Sequence, residues 1–304
     1  MMRTMSFHPA PIVLFVYRRP VHTRKTLRAL LKNKEAAKTE LVIYSDGPHG
    51  EADDKGVEEV RALCREIKGF SKTTLVLRKT NIGLADNILQ GVGEQLTLHD
   101  RVIVMEDDLR THPSFLSYMN GALTAYEHHP DILSVSAYMP PKWKVARPEH
   151  FSADVWLNPR PMSWGWGTWS KKWKSVDWQQ AEKDDFPARQ DLQSGFARGG
   201  GDLPTMLKNQ MSGKLDTWDV QFAYAHYRSD RYTLMPVESY VKPIGFDGSG
   251  RNCRPNPSRW FESTRRAVRK PVFPVHPDVD QDLTRSLRKS FDRHHQLAEW
   301  LGIS

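Results

Sequence analysis

Three consecutive carboxylates, Glu106-Asp107-Asp108, follow the apolar run Val102-Ile103-Val104-Met105. Like charges this close raise one another's pKa unless something positive neutralises them. A hard divalent cation does so: Mg²⁺ and Mn²⁺ take oxygen ligands and often share their shell with phosphates. The bland reading is a solvated acidic turn ahead of a helix, where the N-terminal dipole favours carboxylates. Position at the end of a Val/Ile strand tips the balance toward a site, because open α/β sheets bind ligands at the carboxyl ends of their strands. Three other polar clusters occupy comparable places: Arg18-Arg19, Asp46-Gly47 and Lys79-Thr80-Asn81-Ile82-Gly83. Each has its own bland reading, as a surface charge, a turn former or a helix-start turn.

The elements that must position these clusters alternate along the first half of the chain. Strands are expected at Ile12–Tyr17, Leu41–Tyr44, Thr74–Leu77, Arg101–Met105 and Ile132–Ser136, from short apolar runs rich in Val and Ile. Helices are expected at Thr23–Asn33, Asp53–Lys68, Leu84–Leu96 and Pro113–His128, the last with Pro at its start, where a missing N–H costs nothing. Such alternation implies an α/β fold with a mostly parallel sheet and helices on both faces. The second half is less regular, and six of the ten tryptophans fall between Trp156 and Trp178. Asn252–Pro274 is Arg- and Pro-rich and is expected to be extended, with a final helix over Asp280–Leu301.

The 304 residues are 39% hydrophobic and 26% charged, a soluble globular composition rather than a disordered one. Two cysteines, Cys64 and Cys253, are too few for a disulfide framework or a cysteine metal site, so a cytoplasmic location is the default. Pro11–Tyr17 is too short to span a membrane and reads as a buried first strand rather than a leader. The net charge of +8 is uneven: from Arg251 onward eleven Lys/Arg face six Asp/Glu. That excess is either a solvated surface or an attractor of anions such as nucleotide diphosphates and lipid head groups. No phosphate-loop, His-Glu-X-X-His or Gly-X-Ser-X-Gly pattern occurs.

Val102–Leu109, followed by His112–Tyr118 and Pro130–Ala137, resembles the inverting GT-A-fold glycosyltransferases. The likeness is to the N-acetylglucosaminyltransferase I type and to bacterial family 2 sugar transferases, and it runs over roughly residues 11–253. It implies a Rossmann-like, nucleotide-sugar-binding sheet flanked by helices, with an elaborated C-terminal acceptor-side half. The acidic triplet then plays the Asp-X-Asp role: Asp108 the ligand of Mn²⁺ or Mg²⁺, Glu106 and Asp107 contacts to ribose and donor sugar. Further resemblances follow in chain order. Phe15–Leu27 is similar to the first strand and nucleotide-contacting loop, with Arg19 the better match of the two arginines. Asp46 resembles the carboxylate that reads the base; a carboxylate can accept the N3–H of uracil. Asn81–Ile88 resembles the segment lining the nucleotide, through Asn81 and Gly83.

Ser163–Trp169 resembles the segment near donor sugar and acceptor, where aromatic faces suit sugar C–H surfaces. Trp169 and Trp173 are expected in the core and Trp166 in the site. An inverting transferase needs a base to take the acceptor hydroxyl proton; Thr217–Val220 stands where the resemblance puts it, so Asp219 is the expected base, with Asp216 as runner-up. Tyr240–Gly250 resembles a segment that closes over the donor. Relatives often carry a His after it; Arg251 stands here instead, as a diphosphate contact. The implied layout is a GT-A domain over 1–253, with a nucleotide-sugar-binding half (1–137) and a donor- and acceptor-side half (138–253), then a basic extension over 254–304.

The implied activity is transfer from a nucleoside-diphosphate sugar, UDP-linked by preference, to a carbohydrate or lipid-linked acceptor in bacterial surface polysaccharide or glycolipid synthesis. Contact with the inner face of the membrane would run through the basic C-terminal region, and no nucleic acid is expected as partner. Two alternatives stay open. A sugar-nucleotide pyrophosphorylase would show a Gly-rich loop after the first strand, where Tyr17-Arg18-Arg19-Pro20 stands. An inactive carbohydrate-binding protein could keep the fold.

Overall fold

The computed structural model describes residues 8–249 and 271–291. In chain order the strands are β1 (Ile12–Val16), β2 (Glu40–Ser45), β3 (Lys72–Leu77), β4 (Arg101–Glu106), β5 (Leu109–Thr111), β6 (Ile132–Ser136), β7 (Val155–Asn158), β8 (Trp166–Trp169), β9 (Tyr232–Pro236) and β10 (Val241–Pro243). The α-helices of the first half are α1 (Pro20–Leu30), α2 (Glu51–Arg65), α3 (Leu84–Leu98) and α4 (Phe115–Ala125). Those of the second half are α5 (Ser170–Lys174), α6 (Gln180–Lys183), α7 (Gln190–Phe196), α8 (Leu203–Met211), α9 (Asp219–Arg228) and α10 (Gln281–Ser290).

Eight strands form one sheet in the order β3-β2-β1-β4-β8-β6-β9-β7, and β5 pairs with β10 in a separate ribbon. From β3 to β4 every pairing is parallel. The fold is α/β, with a mixed sheet flanked by helices, consistent with the GT-A-like architecture that the resemblance implies. The alternation expected for the first half is present, with ends displaced by a few residues.

Central strands read as continuous apolar runs because both faces of the sheet are covered. Successive side chains point to opposite faces. Ile12, Leu14 and Val16 therefore join one core cluster while Val13 and Phe15 join the other. A third, smaller cluster ties α7, α8 and α9 together through Phe196, Leu207 and Tyr224.

The second half departs from the parallel expectation. β8 inserts antiparallel between β4 and β6, in register with Ile103 at Gly167. Gly167 is required there: a Cβ would meet the Val102 carbonyl oxygen at 2.8 Å and Met119 and Leu123 at 3.2 Å. β7 closes the far edge, antiparallel to β9. These strands are four residues long, too short to show a period in the sequence.

The C-terminal segment packs onto this core. Leu157 N–H donates to Asp278 O at 2.9 Å, and the Tyr126 hydroxyl to Pro274 O at 2.8 Å. Asp280 caps α10, accepting from the Asp282 and Leu283 N–H groups, and Leu283 and Leu287 are buried in the main cluster. The rest of the helix expected up to Leu301 lies outside the described residues, as do residues 252–270 of the expected extended stretch and the 253/254 boundary. Among the described residues no helix is long and apolar enough to cross a membrane.

Because the obstacle to a larger residue at position 167 is backbone, Gly167→Ala should overpack the sheet. The expected cost is about 1–3 kcal/mol, read as a lowered midpoint in chemical denaturation.

Candidate active site

The site begins with two neighbouring strands. β1 and β4 run parallel with Phe15 opposite Glu106, so the segments leaving their carboxyl ends emerge side by side. Arg19, at the cap of α1, thereby reaches across to the acidic triplet. Its guanidinium donates to Asp107 Oδ1 at 2.5 Å and to Asp108 Oδ2 at 2.9 Å. Helix α1 then fixes Asp107 twice more: Thr26 Oγ1 donates to its carbonyl at 2.6 Å, and Thr23 Oγ1 lies 3.4 Å from Oδ2.

The carboxylates pay the expected electrostatic penalty. Burial, then the Asp108 and Asp107 charges, push Glu106 up to about 8. Burial also raises Asp107, against the pull of Arg19. Burial opposes the charge on Arg19, but Asp107 and Asp108 outweigh it and hold its proton more firmly than usual.

The other strand ends complete the wall. Asp46 follows β2, and its Oδ1 accepts from Gly47 N–H at 2.9 Å and Ile82 N–H at 3.1 Å. Burial nonetheless raises its pKa. Asn81 Nδ2 donates to Gly47 O at 2.9 Å, clasping the loops after β2 and β3 together. Gly47 must be glycine, since a Cβ would overlap the Thr80 backbone, and Gly83 adopts φ +85.

These groups share one cleft of about 380 Å³, within the range of small-molecule sites. Arg19, Asp46, Asn81, Gly83, Glu106, Asp107 and Asp108 all line it. So do Tyr17, His49 and Asp53, which the sequence reading passed over. Tyr17 donates to Asp53 at 2.5 Å and accepts from His49 N–H at 3.0 Å, while Arg18 pairs with Asp53. The available signal was Tyr17 next to the end of β1; Asp53 looked like an ordinary first-turn acid of α2.

Two expectations have weaker positions. Asp219 does not line the cleft; it is the first residue of α9, where the Thr217 hydroxyl donates to it, and its charge contributes to the upward push on Glu106. Asp216 approaches the same wall, its Oδ2 lying 3.4 Å from where a Cβ on Gly83 would be. Trp166 needs correction. It is only 2% exposed and stacks on Trp218 and Trp173, with ring centroids 4.8 and 5.9 Å away. As a residue of β8 within the covered sheet, it has no free face to offer a sugar. Trp164, two residues earlier, is half-buried and packs against Tyr138 and Phe246. Trp169 and Trp173 are buried, as expected. Arg251 lies outside the described residues.

The segment after β10 rests on the carboxylates. Ile244 N–H donates to Asp108 O at 2.8 Å, and Gly245 sits so close to the Asp108 side chain that a Cβ would overlap it. His22 Nε2 lies 3.2 Å from Ile244 O and 3.1 Å from Asp247 Oδ2. Among the described residues, no three His, Cys, Asp or Glu side chains gather into a metal cage. The oxygen-only donors at Asp108 fit a hard cation that completes its shell from phosphate and water.

No protein-family model matches the chain, and no curated protein does. Solved structures similar to the chain at low identity include the three that follow. A mannosyltransferase from Pyrobaculum calidifontis, in complex with GDP-Man and Mn²⁺, is 12% identical with a TM-score of 0.41, over 73% of this chain and 70% of that one. TarS of S. aureus is 12% identical with a TM-score of 0.40, over 78% of this chain and 37% of that one. Mouse xyloside xylosyltransferase 1, in its apo form, is 13% identical with a TM-score of 0.36, over 71% of this chain and 80% of that one. At such scores the likenesses carry no argument about activity, which rests on the site.

Glu106 gives a pH test. A carboxyl whose folded pKa is raised binds its proton more tightly when folded, so it costs nothing below its unfolded value near 4.3 and destabilises increasingly as pH climbs to about 8. Glu106→Gln should therefore gain stability relative to wild type as pH rises from 5 to 8.5. Denaturation in chelator, without nucleotide, reads the difference; equal gains at both pH values would remove the burial account.

Proposed function

We propose that the chain is a glycosyltransferase that moves a sugar from a nucleoside diphosphate to an acceptor hydroxyl. One observation carries this reading: seven residues from four strand ends, from Arg19 to Asp108, line a single cleft. That cleft combines a guanidinium suited to phosphate, a buried carboxylate at Asp46 and an acidic triplet. Asp46 favours uridine among the bases, because a carboxylate accepts the N3–H. The oxygen donors favour Mn²⁺ or Mg²⁺ at Asp108, and such an ion would neutralise charge on the leaving diphosphate.

The chain's own groups divide the remaining work. Arg19 holds Asp107 and Asp108 before donor arrives and is placed to reach a diphosphate beside them. Glu106 and Asp107 present acceptors to ribose and sugar hydroxyls. Asp219, at the head of α9, is the proposed base for an inverting displacement, with Asp216 as its runner-up. The resemblance favours a carbohydrate or lipid-linked acceptor in bacterial surface polysaccharide or glycolipid synthesis, reached from the cytoplasmic side with membrane contact through the basic C-terminal region. The domain layout over 1–253 and 254–304, and a diphosphate contact from Arg251, belong to the same reading.

A panel of nucleotide-sugars tests it. Metal-dependent release of nucleoside diphosphate from one donor is expected, abolished by chelator and by Asp108→Ala. Binding and release indifferent to both would remove the metal. Pyrophosphate-dependent formation of nucleoside triphosphate would favour the pyrophosphorylase, and sugar binding with no turnover the inactive protein. Asp219→Asn should cut transfer by roughly 10²–10⁴-fold while leaving donor affinity unchanged in titration calorimetry. Undiminished transfer in that variant would pass the role to Asp216.

A further inference from the structure

A second cavity lies at the opposite edge of the sheet. β9 is parallel to β6, β6 antiparallel to β8, and β8 antiparallel to β4. The start of β9 therefore lies at the edge where β4 begins, away from Glu106. There, a cavity of about 320 Å³ opens between the end of α9, the start of β9 and α10. Its volume is within the small-molecule range.

Its charge is one-sided. Arg198, Arg231, Arg285 and Arg288 line it, against one carboxylate, Asp230. Among the described residues, Arg285 alone of these four pairs with a carboxylate, Asp282 on the same helix, and that pair is exposed. Arg198 instead donates to Gly195 O and lies over the Tyr227 ring, and Arg231 donates to Ser175 Oγ. Burial lowers the pKa of Arg231, and burial together with Arg231 pushes the nearby Lys172 down to about 7. Among the described residues, four arginines thus face a single lining carboxylate, Asp230. The walls add Tyr227 and Tyr232, half-buried rings against which a planar or sugar ring can rest.

We propose that this cavity binds a phosphate-bearing ligand, held by the guanidinium groups of Arg198, Arg231 and Arg288 at a site separate from the catalytic cleft. Planar guanidinium forks match phosphate oxygens in pairs. The carboxyl end of α9 opposes an anion here, so side-chain cations rather than backbone N–H groups must supply the attraction. The ligand is either a free phosphorylated small molecule or the head group of an anionic lipid.

Titration calorimetry of the full chain with inorganic pyrophosphate, in chelator, tests the site. Two classes of binding are expected, both weakened by salt. Arg198 and Arg288 are exposed, so the double variant Arg198→Gln/Arg288→Gln should fold as wild type. It should weaken one class about tenfold or more and leave the other, which Arg19→Gln removes. The charge-preserving Arg288→Lys should recover part of the loss. Sedimentation with phosphatidylglycerol vesicles, but not phosphatidylcholine vesicles, lost in the same double variant, identifies a lipid head group; pyrophosphate binding without sedimentation identifies a free phosphate. A single class of binding, removed by Arg19→Gln and untouched by the double variant, overturns the proposal.

Discussion

Everything at the cleft depends on bringing three carboxylates together at one strand end without letting their repulsion pull the end apart. The sheet solves this by pairing β4 with β1. The residues after the two strands emerge in contact, and Arg19 lies across Asp107 and Asp108. The guanidinium stands where positive charge is needed when no other is present. Helix α1 starts at that point, and its Thr23 and Thr26 hydroxyls hold Asp107. The segment from Ile244 to Asp247 then rests on Asp108 and His22. Neutralisation, helix start and covering segment are one arrangement.

The tryptophan-rich stretch has a different role from sugar contact. Trp166 stacks on Trp218, and Trp218 is the residue that caps α9. A rigid aromatic stack behind the sheet thus fixes where α9 begins and where Asp219 stands. Aromatic pairs of this kind contribute roughly 0.5–1.5 kcal/mol each beyond burial, enough to hold a helix start in one place. The same helix ends at the arginine-lined cavity through His226 and Tyr227. Acidic and basic sites therefore lie on opposite edges of one sheet, separated by its apolar layers.

The sequence alone determined the local order. Apolar runs, helical periods and glycine-containing turns defined the alternation up to Ser136, and the polar clusters fell at strand ends because those ends are where apolar patterning stops. That Arg19, Asp46, Asn81 and the triplet would share a sheet edge followed from strand direction alone, given a parallel sheet. Only the tertiary structure decided which strands are neighbours. Adjacency of β1 and β4, the antiparallel insertion of β8 and the β5–β10 ribbon are long-range pairings between short segments that carry no local signal. For the same reason Trp166 looked like a site residue: a tryptophan beside glycines reads alike in a core strand and in a ligand wall, and burial by Trp218 and Phe222, some fifty residues later, is what separates the two. The arginine cavity was equally invisible, because its cations come from α10, the turn between α9 and β9 and the turn after α7, and only packing brings their charge together.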